Sequence, residues 1–98
     1  MERGGYIYIL TNKNHTVLYT GVTSNLFNRL YEHRTGLYKS SFASKYNVKE
    51  LVYYEGFISI EEAILREKQI KAGSRQKKID LIIGFNPERK DLTSTIIE

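Results

Sequence analysis

Gly5-Tyr6-Ile7-Tyr8-Ile9-Leu10-Thr11, a polar turn at Asn12-Lys13-Asn14-His15, and then Val17-Leu18-Tyr19-Thr20-Gly21 form the stretch that decides the fold. Alternation sets Tyr6, Tyr8 and Leu10 on one face of a strand and Ile7 and Ile9 on the other, in residue types that favour extended backbone. The turn reverses the chain and Gly21 stops the second run, which predicts an antiparallel hairpin with a somewhat long loop. Such pairing brings Tyr8 and Tyr19 near each other.

Outward from the hairpin, Thr23 or Ser24 is placed to cap a helix reaching about Arg34, with Leu26, Phe27, Leu30 and Tyr31 as its buried stripe. Arg29 and His33, four apart, border that stripe. Thr35 to Tyr46 has no firm period and reads as a functional loop, with one short helical turn from Ser41 to Tyr46. Val48 to Phe57 reads as a third strand. Ser59 and Glu62 spell a capping box, followed by a helix with Ile60, Ala63, Ile64 and Ile70 inward and Gly73 as its stop. Glu67 interrupts that apolar face. Ser74 opens a further helix with Ile79, Ile82 and Ile83 inward, closing at Gly84, and Asn86-Pro87 forces a turn. Residues 1–92 read as a single domain, and 93–98 as a tail with some strand propensity but no obvious partner.

A chain of 98 residues has room for one core and a small, exposed site. The absence of cysteine excludes disulfides, thiolate zinc sites and cysteine nucleophiles, and suits a reducing compartment. No apolar run reaches membrane-spanning length and none reads as a signal peptide, so a soluble, cytoplasmic protein with no membrane partner is expected. The formal net charge of +4 is concentrated in one segment, where Arg66, Lys68, Lys71, Arg75, Lys77 and Lys78 meet only Glu67. This segment is either a solvated helix face or a surface that attracts a polyanion by counterion release. There is no glycine-rich phosphate loop and no Ser/His/Asp triad, and two separated histidines make no dedicated metal cluster.

Tyr6-Ile7-Tyr8, ten residues, Tyr19-Thr20-Gly21, the run from Asn25 to His33, the run from Ala63 to Lys71, and Asn86-Pro87 stand in an order that resembles the GIY-YIG nuclease superfamily, specifically its small stand-alone bacterial members. The likeness covers nearly the whole chain. Tyr6 stands in place of the first-motif glycine and Thr20 in place of the second-motif isoleucine, and neither change removes a side chain with a proposed chemical role. The resemblance implies an α+β fold, a three-stranded antiparallel sheet flanked by helices, and metal-dependent hydrolysis of phosphodiester bonds. It implies nucleic acid as partner, read as DNA with RNA or branched and nicked DNA as alternatives, and the small size of the domain points to a homodimer or a larger repair complex for engaging both strands. The same fold and basic segment also suit a noncatalytic nucleic-acid-binding module.

On this resemblance Tyr8, Tyr19, Arg29, His33 and Glu67 are the candidate catalytic residues. Glu67 either holds a hard cation such as Mg2+ or Mn2+, which one carboxylate can bind with most of its waters, or pairs with a lysine or with Arg29. Arg29 offers a permanent cationic fork for a phosphate, or pairs with Glu32. His33 titrates near neutral pH and suits proton transfer, or is a helix-surface histidine. Tyr8, with Tyr19 beside it, takes the family's proposed general-base role if the site lowers its pKa; otherwise both donate hydrogen bonds and position water, or form an aromatic cross-strand pair. Lys45, Arg66, Lys71, Arg75, Lys77 and Lys78 are candidate nucleic-acid contacts. Gly21 allows close backbone approach, and Asn86 either orients a site residue or is structural.

Overall fold

The computed structural model describes residues 4–35 and 46–96. Lys45 and most of the segment expected to form a functional loop lie outside the described residues. In chain order come strands β1 (Gly5–Thr11) and β2 (Leu18–Thr23), helix α1 (Leu26–Thr35), strand β3 (Glu50–Phe57), and helices α2 (Ile60–Ala72), α3 (Arg75–Phe85) and α4 (Thr93–Ile96). The strands form one antiparallel sheet in the order β2-β1-β3, giving the α+β architecture read from the chain.

Because β1 is central, both of its faces are covered. Ile7 and Ile9 join Val52, Tyr53, Ala63, Ile70 and Ile82, so α2 and α3 pack on that face. Tyr8 and Leu10 join Leu26, Leu30, Val48 and Leu51 on the face covered by α1, where Leu92 and Ile96 add further packing. The register shift between Ile9 and Leu10 leaves Val52 as an extra residue between the partners Leu51 and Tyr53. This bulge turns Val52 and Tyr53 into the same cluster, breaking the strict alternation of β3.

Local chemistry explains where the elements begin and end. Asn25 caps α1, in place of the expected Thr23 or Ser24: its Oδ1 accepts from Asn28 N at 3.0 Å, while Thr23 Oγ1 braces Asn25 N at 3.1 Å. The buried stripe of α1 is Leu26, Leu30 and His33, at helical spacing. Phe27 and Tyr31, expected inward, are 48% and 53% exposed, because they lie to the side of the stripe that meets the sheet. The Ser59–Glu62 capping box forms, and α2 buries Ala63 and Ile70. Ile64 is on its outer side instead, as is Ile83 on α3, where Ile82 is the buried residue. The third helix continues past Gly84 to Phe85 and is capped by Asn86.

Thr93–Ile96 forms a helix rather than a strand. Leu92 N donates to Leu51 O at 2.7 Å, and Asp91 Oδ1 accepts from Leu51 N and Thr93 N at 3.0 Å each, which ties this segment to β3 before α4 begins. Asn86 holds the same connection from within: its amide donates to Val52 O and Lys90 O at 3.2 and 2.8 Å and accepts from Lys90 N at 3.1 Å. Asn86 is therefore a structural clamp.

Candidate active site

Register places the site residues before any chemistry is considered. Tyr8 pairs with Gly21 across β1 and β2, and Leu10 pairs with Tyr19, so Tyr8 and Tyr19 are diagonal neighbours on the α1 face. Their ring centroids are 6.3 Å apart. His33, from the last turn of α1, completes a three-ring group with centroids 6.0 Å from Tyr8 and 5.9 Å from Tyr19, both edge-on. Tyr8 Oη lies 3.3 Å from His33 Nε2. Gly21 is what admits the Tyr8 ring: a Cβ at that position would overlap Tyr8 Cζ and Oη and stand 2.9 Å from Cε1.

Arg29 lies one turn before His33 on α1. Its Nε is 3.3 Å from Glu32 Oε1, and its positive charge acts on the Tyr8 hydroxyl, pulling that pKa down. The Tyr8–His33 contact runs from the hydroxyl to a bare Nε2 or from a protonated Nε2 to the hydroxyl, according to the His33 tautomer. Burial pushes the Tyr8 hydroxyl far above its ordinary pKa and the neighbouring Tyr19 adds to that, outweighing the opposite pull of Arg29. A fully buried phenol that holds its proton this firmly is suited to donating and orienting, and poorly suited to acting as a base. Burial also lowers the pKa of His33, and the Arg29 charge lowers it further against a smaller upward pull from Glu32. His33 is thus a neutral imidazole at pH 7.

Glu67 stands apart from this group. It lies on α2, between Ala63 and Ile70 in the stripe that packs on the Ile7 and Ile9 face, with its side chain only 14% exposed. Lys71 Nζ meets its Oε2 at 2.8 Å, the Glu-to-Lys pair one helical turn apart. A groove of about 280 Å3 lined by Leu18, Tyr19, Thr20, Lys71 and Lys78 places Lys71 alongside Tyr19 at edge strand β2.

The basic segment is largely engaged within the fold. Arg66 Nε bonds Glu55 Oε1 at 3.2 Å, and that carboxylate also accepts from Tyr53 Oη at 3.1 Å, making Arg66 a strut between α2 and β3. Arg75 donates to Thr16 O at 3.0 Å and pins the β1–β2 loop to α3. Lys78 Nζ donates to Gly73 O at 3.2 Å, and Lys77 is exposed.

The chain matches the GIY-YIG catalytic domain over residues 4–80. It belongs to the GIY-YIG family. Among its relatives, a UPF0213 protein of Syntrophus aciditrophicus is 42% identical over 84 residues, covering 86% of this chain and 94% of that one. A UPF0213 protein of Staphylococcus haemolyticus is 39% identical over 77 residues, covering 79% and 92%. The solution NMR structure of a UPF0213 protein from Bacillus halodurans superposes with a TM-score of 0.51 at 33% identity, covering 80% of this chain and 81% of that one. These relatives are small proteins whose lengths this GIY-YIG chain nearly spans.

Within the GIY-YIG domain, the motif tyrosines, Arg29 and His33 lie on the α1 face, whereas Glu67 stands on the helix that covers the other face of the sheet. No group of three or more His, Asp or Glu side chains able to hold a metal stands among the described residues. A single hard carboxylate nonetheless fits Mg2+ or Mn2+, which bind through one carboxylate and keep their waters. It does not fit zinc, which takes three or four protein ligands. Among the described residues no helix is long and apolar enough to cross a membrane. Sequence reading missed the Tyr8–His33 bond; of the ion pairs it left open for Glu67, a lysine or Arg29, the structure forms the one with Lys71, which the Glu-to-Lys spacing of four on one helix could have singled out.

Proposed function

We propose that this GIY-YIG chain is a divalent-metal-dependent endonuclease that hydrolyses phosphodiester bonds in DNA by attack of an activated water. The observation that carries this reading is the packing of His33 against the Tyr8 hydroxyl and the Tyr19 ring, with the Arg29 charge acting on both Tyr8 and His33. Folding alone needs neither a cation nor an imidazole at a buried tyrosine. Arg29 stabilises charge that builds on the nonbridging oxygens as the phosphorus becomes five-coordinate, where a fixed guanidinium fork is well matched. His33 is held neutral by burial and Arg29, so it can accept the proton of the attacking water at pH 7. Tyr8, with no exposed surface, is a positioning residue that fixes the His33 ring, and Tyr19, half-buried, is the tyrosine able to meet substrate.

Glu67 would hold Mg2+ or Mn2+, and such a cation when bound neutralises a phosphoryl oxygen and acidifies water. Lys71 must release the carboxylate first. A domain of this size engages both strands of a duplex as a homodimer or within a larger repair complex, which size-exclusion chromatography with and without DNA distinguishes.

The deciding experiment is a cleavage assay on nicked and branched DNA with Mg2+ and with Mn2+, comparing wild type, Glu67→Ala and Arg29→Ala. Loss of cleavage in both variants is expected; equal cleavage by wild type and Glu67→Ala would sink the assignment. The Lys71–Glu67 ion pair favours one alternative, a noncatalytic nucleic-acid-binding module whose acid is already neutralised. That module would bind DNA as well after Glu67→Ala and cleave nothing with any metal.

A further inference from the structure

Two concavities meet at one lysine. The groove beside Tyr19 and Lys71 is also lined by Lys78. A second, of about 370 Å3, lies between α2 and α3 and is lined by Arg66, Gln69, Lys77, Lys78 and Asp80 together with apolar residues. Lys78 lines both, so its side chain is the wall the two share.

The charges along this path are not balanced. Among the described residues neither Lys77 nor Lys78 is ion-paired to a carboxylate; Lys78 is anchored by the neutral Gly73 carbonyl, which fixes the ammonium at the junction without cancelling it. Asp80, the acid of the second concavity, accepts a hydrogen bond from Gln76 at 2.9 Å. The Arg66 guanidinium is held in place by Glu55 and Gln69.

We propose that the α2–α3 cleft is an extended binding surface for the phosphodiester backbone, taking the strand that leaves Tyr19 over Lys78 and on to Lys77. Both concavities are open, and cations spaced along an open channel suit a repeating polyanion better than a single small anion, which needs converging donors. The inference rests on the reading of the chain as a DNA enzyme, and adds the direction in which the bound strand runs: over edge strand β2 and onto the face covered by α2 and α3. It also divides the basic segment by role, with Arg66 and Arg75 bracing the fold and Lys77 and Lys78 meeting phosphate.

The test is fluorescence anisotropy of a labelled duplex over a salt series without divalent metal, using the full chain. Wild type is compared with Lys77→Gln/Lys78→Gln and with the control Lys49→Gln/Lys90→Gln, whose positions flank β3 at the opposite edge of the sheet. Each phosphate contact contributes about 0.9 to the slope of log K against log salt, so the cleft variant should lose about 1.8 and the control nothing. A cleft variant that keeps the wild-type slope, or a control that loses as much, overturns the cleft. Should the double variant melt early, Lys77→Gln alone, at an exposed position, should still lose about 0.9. Cleavage by wild type with an unchanged slope in the cleft variant refutes the cleft alone, whereas wild type without salt-dependent DNA affinity refutes the nuclease reading and the cleft together.

Discussion

Replacing Gly21 by alanine adds one methyl group where β2 faces the ring of Tyr8. That methyl would overlap Cζ and Oη and stand 2.9 Å from Cε1. The obstacle is a rigid ring with 0% exposure, enclosed by the cluster that includes Leu26 and Leu30, so it cannot swing aside as a flexible surface chain would. Overpacking of this kind costs about 1–3 kcal/mol. Shifting the ring also pulls Oη from His33 Nε2, a bond of 3.3 Å whose loss adds about 1 kcal/mol. Against this, alanine restricts the unfolded chain and returns roughly 0.4–1 kcal/mol. The net expectation is a loss of about 1–3.6 kcal/mol, or roughly 4–29 °C in melting temperature for a domain of this length. Gly84→Ala is the matched control: its Cβ meets nothing within 4 Å and it lies inside α3, so it should stabilise by up to about 1 kcal/mol. Thermal melts followed by circular dichroism measure both. In a Tyr8→Leu background the Gly21→Ala penalty should shrink by about 1 kcal/mol or more, because the clash partner is gone. Equal stability of Gly21→Ala and Gly84→Ala would refute the interlock.

Three further outcomes follow from the same geometry. Asn86→Ala removes three hydrogen bonds to buried or half-buried backbone and should lose about 3 kcal/mol in urea denaturation, with α4 fraying first in hydrogen exchange. Lys71→Met frees Glu67 from its 2.8 Å ion pair and should tighten Mn2+ binding, read by calorimetry, by about two- to fivefold; weaker binding would contradict the competition. His33 is held below its ordinary pKa of 6.5, so as pH falls past about 6.5 the unfolded chain takes up a proton that the folded chain refuses. Its contribution to stability is therefore complete above that pH and declines on acidification until the folded pKa is reached. An NMR titration of the His33 ring should give a midpoint under 6.5, and the stability of His33→Gln should change less than that of wild type between pH 6.5 and 5.5.

The strands, the α2 capping box and the order of elements were legible because each rests on neighbours in the chain: Ile7 and Ile9 alternate with Tyr8 and Leu10, and Ser59 reaches Glu62 within one turn. Errors arose where the outcome depends on which side of a helix meets the sheet. Phe27, Tyr31, Ile64 and Ile83 are as apolar as their buried neighbours, yet packing of α1, α2 and α3 against a twisted sheet selects Leu26, Leu30, Ala63, Ile70 and Ile82 instead. The C-terminal segment was misread for a similar reason. It packs on α1 in the Tyr8 cluster and is tied to β3, some forty residues earlier, through Asp91 and Leu92, and nothing local in Thr93 to Ile96 announces either.

The site shows the same division, and it bears on what the family signature means. Tyr8, Gly21 and the tyrosine diagonal to Tyr8 are coupled by packing: the glycine exists to admit the ring, and the ring fills the space beneath α1. Any chain keeping this hairpin under this helix has a structural reason to keep those residues, whether or not it cleaves anything. Arg29, His33 and Glu67 carry no such obligation. An apolar residue would fill the place of His33 at lower desolvation cost, and the Glu67 carboxylate, 14% exposed on a stripe between Ala63 and Ile70, needs Lys71 to be tolerated there. Groups that folding would replace with something cheaper, gathered on both sides of one edge strand, are the part of the pattern that speaks for chemistry.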